Sequence, residues 1–297
     1  MIPRARMLSE AFWWGRRLER FYLTYRMLLA NEYFDLQSGP GYSQVSRYGW
    51  GLLVTGQYNE FLAHAPHLDR LSQWNWWTNQ HMPYGMPVLY DQLRQGLRGM
   101  RSGFRAEWFE QWSRYQEIFQ NQEPIAKDLE HPLLLAASQL YPMMLGLLEI
   151  EQGRTSLTCW MRLGIEWERL DMTLRLLVLY AGNTDAAEAS RLLEWINFVQ
   201  DASKQVRLSA HDWLSSRSLL RALPSLYARV MRCIDEALIV DEFVFPVPTL
   251  RCELTHLLDY QAKLAKACTA FEDLLSIKIQ GGVGREGVPA ALHNIHA

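Results

Sequence analysis

The sequence predicts an all-α fold, a helical bundle, on three observations. Apolar residues recur at i, i+3, i+4 and i+7 through most of the 297 residues, the spacing of helices with one buried face. The alternation of a half-buried strand is scarce. The segment GRRLERFYLTYRMLL (15–29) also returns as GIEWERLDMTLRLLV (164–178), 149 positions on. Both copies read G-x-x-x-E-R-x-x-x-T-x-R-x-L-[LV]. That period is too long for a solenoid. It predicts two related helical halves, about 7–150 and 156–279, within one domain over 1–279. The two long Glu-Arg helices are expected to pack about a pseudo-two-fold axis.

In chain order, Ser9 is placed to cap a helix over 10–36. QSGPGYS (37–43) is a cluster of turn formers. A shorter helix is expected over 50–64, followed by the loop HAPHLD (64–69). Pro83 suits a first helical turn and opens a helix over 84–101. Further helices are expected over 107–119, 131–151, 156–180, 185–200, 211–220 and 226–239. EFVFPVPT (242–249) reads as an extended connector before a last helix over 250–277. The tail 280–297 carries four glycines and is expected to be flexible. The most apolar run, PLLLAASQLYPMMLGLLEI (132–150), contains Ser138, Gln139 and Pro142. It is expected to be a buried, proline-kinked helix rather than a membrane span.

Composition narrows the function classes. Hydrophobic residues make up 49% and charged residues 21%, the balance of a chain with a large core. A net charge of −2 argues against a general polyanion binder, and no nucleic-acid motif is present. Only 5 of the 30 basic residues are lysine, and arginine suits bidentate carboxylate and phosphate contacts. The four cysteines lie far apart without a CxxC pair, which argues against zinc or a disulfide framework and fits a cytoplasmic setting. Most of the 12 tryptophans, WNWW (74–77) included, are expected in the core, where each indole N–H needs a partner.

Two charged constellations stand out. In the repeated helix, Gly15, Glu19 and Arg26 share one stripe at about 100° per residue, as do Gly164, Glu168 and Arg175. Arg20 and Thr24 lie on the adjacent stripe, with Arg169 and Thr173 as counterparts. The glycines are expected to let the helices approach closely. Across such a contact Glu19 is expected to meet Arg175 while Glu168 meets Arg26, a reciprocal pair that fixes register. The alternative is that these groups face a pocket and act on a ligand.

The second constellation is LRQGLRGMRSGFR (93–105). Arg94, Arg98, Arg101 and Arg105 fall within about 60° of one another if one helix runs throughout. Such a stripe needs anionic neighbours. These are either Glu19, Glu168, Glu107 and Asp171 within the chain, or a bound phosphate, carboxylate or acidic partner. Glu253-x-x-His256 and the pair His64/His67 are weak metal motifs. The Walker, Rossmann and nucleophile-elbow patterns are missing, and no cofactor is expected.

Four segments together resemble the bacterial alpha-E domain family, an all-helical group named for its Glu-Arg motif. They are MLSEAFWWGRRLERFYLTYRML (7–28), WGLLVTG (50–56), RQGLRGMRSGFRAEWFEQW (94–112) and MRLGIEWERLDMTLRLL (161–177). The chain departs from the family pattern at Gln95-Gly96, where members usually carry Glu-Asn, which marks it as a divergent member. The resemblance implies a helical protein without established catalysis. It is typically encoded or fused with circularly permuted ATP-grasp amide ligases and transglutaminase-like proteins.

Two functions follow as expectations. One is a non-catalytic adaptor or companion subunit of an ATP-grasp amide or peptide ligase system. It would hold the ligase or its anionic or peptide substrate through Arg20, Arg26, Arg94, Arg98, Arg101, Arg105, Arg169 and Arg175. Any phosphate or nucleotide contact would come through the partner. The other is an enzyme with an arginine clamp and Glu19 or Glu168 as base. A carboxylate amid arginines is a weak base near neutral pH, which favours the first.

Overall fold

A computed structural model describes residues 4–37, 44–65, 67–79, 81–82, 84–120, 132–151, 156–181, 186–199 and 232. Among the described residues it is all-α, with ten α-helices, one 3₁₀ turn and no strand. The expected helices over 211–220, 226–239 and 250–277, the connector 242–249 and the tail 280–297 lie outside the described residues. So do Pro83, Glu253, His256, Cys233, Cys252 and Cys268.

The long periodic stretches form the frame. These are α1 (Arg4–Gln37), α5 (Met86–Gly99), α8 (Pro132–Ile150), α9 (Ser156–Ala181) and α10 (Ala186–Val199). α1 starts before Ser9, so Ser9 lies inside the helix and does not cap it. The expected helix over 50–64 is two helices, α2 (Gln44–Val54) and α3 (Tyr58–His64). The break is a glycine C-cap. Gly56 takes φ +73°, the left-handed conformation that only glycine adopts without a Cβ penalty. Gly56 N–H donates to Leu53 O at 3.1 Å and Gln57 N–H donates to Leu52 O at 2.8 Å. This Schellman pair satisfies carbonyls that the helix end would otherwise leave open.

The periodicity does not indicate α4 (Arg70–Thr78). Asp69 caps it by accepting from Ser72 N–H at 2.7 Å. Trp74, Trp76 and Trp77 are buried on it, as a core role for WNWW requires, and Trp76 Nε1 donates to Gln57 Oε1 at 2.6 Å. The expected helix over 107–119 is α6 (Ala106–Arg114) followed by α7 (Gln116–Gln120).

α1 and α9 form the central pair. α5 packs on α1 through Leu89, Leu93 and Leu97, and Trp14 Nε1 donates to Leu93 O at 2.9 Å. α8 is long and apolar enough to cross a membrane by length and composition. It continues as helix through Pro142 and contributes Leu133, Leu134, Ala136, Ala137, Leu140 and Met144 to the main core. A second, smaller core joins α1 and α2 to α9 and α10. There Trp50 and Trp195 meet edge-on at 5.8 Å between ring centroids.

Candidate functional site: a crossed glutamate–arginine centre

α1 and α9 run side by side in the same direction, and two glycines set their separation. A Cβ on Gly15 would stand 1.9 Å from Met161 O, and one on Gly164 would stand 2.1 Å from Phe12 O. Met161 lies three residues before Gly164, and Phe12 three before Gly15, so the contact is reciprocal. One turn further along, Arg20 Nε donates to Glu168 Oε1 at 2.8 Å, and Arg169 Nε stands 3.1 Å from Glu19 Oε1. The two Glu-Arg dipeptides therefore cross-pair. Thr24 and Thr173 each donate to the carbonyl four residues back, Arg20 O at 2.9 Å and Arg169 O at 2.7 Å.

The two halves of this centre are not equivalent. Glu168, 0% exposed, receives a second cation: Arg16 Nε donates to its Oε2 at 2.7 Å. Arg16 also reaches Asp171 at 3.5 Å. Ile165 stands where the repeat would place a second Arg16, so Glu19, 3% exposed, lacks that cation. Instead Tyr141 of α8 donates its hydroxyl to Glu19 Oε2 at 2.5 Å and accepts from Arg169 Nη2 at 2.7 Å. Arg20 is further held over the Tyr84 ring at 5.3 Å, a cation–π contact.

Electrostatics follow the same asymmetry. Burial raises the Glu168 carboxyl, but Arg20 and Arg16 outweigh it and hold it below the usual glutamate value. Burial also raises Glu19, and there Arg169 and Tyr141 do not fully compensate, so its carboxyl lies above the usual value. Burial works against the charge of Arg169, yet Glu19, Tyr141 and Glu166 hold it firmly cationic. Of that pair Glu19 is therefore the member that takes up a proton, since guanidinium does not lose one in proteins.

These shifts have opposite signs in stability. The Glu168 contribution is present above the unfolded glutamate pKa, about 4.3, and is lost as pH falls through its lowered folded value. The Glu19 contribution is present below about 4.3 and is lost as pH rises through its raised folded value. Urea unfolding across this pH range should show it. The stability difference between wild type and Glu168→Gln is expected to grow with pH, and that between wild type and Glu19→Gln to shrink. Parallel slopes would contradict the asymmetry.

The expected partners of Arg26 and Arg175 are corrected. Neither meets a glutamate of the centre. Because α1 and α9 are parallel, Glu19 stands level with Arg169, while Arg175 lies two turns, about 10 Å, further along. Arg26 instead donates to Phe198 O and, at 3.4 Å, to Val199 O at the end of α10. Arg175 donates to Val54 O at the end of α2 at 3.4 Å and pairs with Asp171. Each arginine thus serves the C-terminal carbonyls of a helix, where positive charge is favourable.

The four-arginine stripe is corrected as well. α5 stops at Gly99, Arg101–Gly103 is a 3₁₀ turn, and Phe104 is extended, so Arg101 and Arg105 leave the helical register. Arg94 pairs with Asp91 at 2.8 Å and donates to Gln116 at 3.0 Å. Arg105 pairs with Glu151 at 3.0 Å. Arg101 lies exposed, 5.8 Å from the Phe109 ring. Arg98 is exposed and has no hydrogen bond or ion pair among the described residues. None of the four joins the Glu19/Glu168 centre. The guanidinium groups there come from α1 and α9 themselves.

The sequence reading missed Arg16, Tyr141 and Tyr84. Arg16 carried a signal, since Arg16 and Arg20 are like charges at i,i+4 and need a shared anion. Tyr141 carried none, because it sits in an apolar run 122 residues from Glu19. Among the described residues no group of three or more metal-ligating side chains is assembled.

The model of the alpha-E family, described as a predicted alpha-helical domain with a conserved ER motif, matches residues 4–226. This chain belongs to the alpha-E family. The alpha-E match spans α1 to α10 and includes both Glu-Arg dipeptides, whose cross-pairing is the feature just described. No curated protein and no solved structure matches the chain.

Proposed function

We propose that this alpha-E protein is a non-catalytic adaptor in an ATP-grasp amide or peptide ligase system. It holds a circularly permuted ATP-grasp ligase, or that ligase's anionic or peptide substrate, in the cytoplasm. A transglutaminase-like protein is a further partner, and phosphate or nucleotide is met only through the ligase. Support comes from a contrast between two sets of charges. The carboxylates of the Glu-Arg centre are buried and bonded inward, with both Glu168 oxygens taken by arginine. Arg98 and Arg101 instead face solvent, where cations steer an acidic partner.

The test is titration calorimetry with the circularly permuted ATP-grasp ligase of the same genome. A complex at micromolar concentration is expected, weakened by added salt. Arg98→Glu combined with Arg101→Glu should weaken it by about ten-fold or more. Absence of binding by the ligase and by its amino-acid or peptide substrates would end the adaptor reading. Turnover of an acyl phosphate by the isolated protein, abolished by Glu168→Gln, would replace it with the enzyme.

A further inference from the structure

A cavity of about 380 Å³ opens between α1 and α5. Its walls include Met7, Glu10 and Arg17 of α1 and Gln92, Gln95 and Gly96 of α5. Arg16, Arg20, Arg94 and Arg169 are all held by carboxylates. Arg17 differs. Its guanidinium is half-buried and makes no hydrogen bond or ion pair among the described residues. The same holds for the Glu10 carboxylate and the Gln92 amide, both half-buried on the same walls. Three polar side chains thus line one space that solvent reaches, where a ligand would meet hydrogen-bonding groups that no protein atom among the described residues takes. At Gly96 a Cβ would stand 3.2 Å from Trp14 Cδ1, a tight contact with the indole, and 3.9 Å from Arg17 Nη1, an ordinary one.

The placement of charge selects the ligand. Glu10 and Arg17 are seven residues apart on one helix, about 10 Å between their backbone positions along its axis, and Glu10 acts electrostatically on Arg17 without forming an ion pair with it. A simple anion would satisfy Arg17 but be repelled by Glu10, and a simple cation would meet the reverse. A molecule with a carboxylate at one end and an ammonium at the other satisfies both. Two to three extended residues span about 7–10 Å, and their peptide groups match the amide of Gln92 and the side-chain carbonyl of Gln95, whose Nε2 donates to Asp91. The volume lies at the small end of ligand pockets, about 300–1,000 Å³. We propose that the α1–α5 cavity binds a short peptide with free termini, its carboxylate on Arg17 and its ammonium on Glu10. This site is separate from the exposed arginines and does not depend on the adaptor function.

Calorimetry on the full chain with trialanine, N-acetyl-trialanine, trialanine amide and inorganic phosphate tests it. Trialanine is expected to saturate the protein below about 1 mM. Capping either terminus should weaken binding by about ten-fold or more, the worth of a charge-assisted hydrogen bond. Arg17→Met should weaken trialanine and leave the amide unchanged. Glu10→Gln should weaken trialanine and leave the N-acetyl form unchanged. Arg98→Ala should alter neither. The capped ligands keep the test decisive even where a substituted protein fails to fold. The proposal is overturned by no saturable binding up to about 10 mM, by equal binding of capped and free peptides, or by phosphate displacing trialanine at equal concentration.

Discussion

Replacing Glu168 by alanine is expected to lower the unfolding free energy by about 3–5 kcal/mol. The side chain is fully buried and is the shared counter-ion of Arg16 and Arg20. Its removal leaves two guanidinium groups facing each other at a helix contact, with only Asp171, 3.5 Å from Arg16, as a remaining anion. Burial already works against the charge of Arg20, and Glu168 is what restores it. Desolvation without compensation is the dominant cost. For a chain of this size the midpoint of thermal unfolding should fall by about 10 °C. Urea unfolding followed by circular dichroism measures the energy directly. Converting the whole cluster to apolar residues, Glu168→Leu with Arg16→Met and Arg20→Met, should recover most of the loss, because the penalty belongs to the orphaned charges. A loss under about 1 kcal/mol in Glu168→Ala would mean that the pair is solvated and not buried.

Gly15→Ala is expected to destabilise the protein by about 3 kcal/mol or more. A single methyl group would be driven to 1.9 Å from the Met161 carbonyl oxygen. The obstacle is backbone, so no side-chain rotation relieves it, and α1 and α9 must move apart along their contact. Gly164→Ala meets Phe12 O in the same way. Because both changes open one contact, the double variant should cost less than the sum of the two. Gly146→Ala is the control. No atom lies within 4 Å of a Cβ there, and the gain in helix propensity should stabilise by about 0.5–1 kcal/mol. Denaturant melts of the three single variants separate a steric contact from a propensity effect. A Gly15→Ala variant as mild as Gly146→Ala would show that the helices do not meet at these glycines.

The fold class was legible because helical periodicity is local. α1, α5, α8, α9 and α10 are each long enough for an apolar stripe to repeat several times, and their expected bounds differ from the structure by a few residues. The shorter elements were harder. The stop at Gly56 is written in VTGQY, a glycine just past an apolar helix end. It has force only once Leu52 and Leu53 are seen to offer their carbonyls to it. In α4, three tryptophans in four positions hide the stripe that its Asp69 cap announces.

The residues of the candidate site divide in the same manner. A duplicated Glu-Arg dipeptide with a glycine four residues before each glutamate could be read directly. It implied two helices in close contact with charge at the contact. Which glutamate meets which arginine depends on whether those helices run parallel or antiparallel, and no local pattern encodes that. The parallel course sets Glu19 level with Arg169 and sends Arg26 and Arg175 to the ends of α10 and α2. It also lets Tyr141, from a helix far away in sequence, take the place of the cation that Ile165 lacks. Helix spans come from interactions a few residues apart, which the order of side chains contains. Charge pairing, burial and the α1–α5 cavity come from how those helices are laid against one another, and only the folded chain decides that.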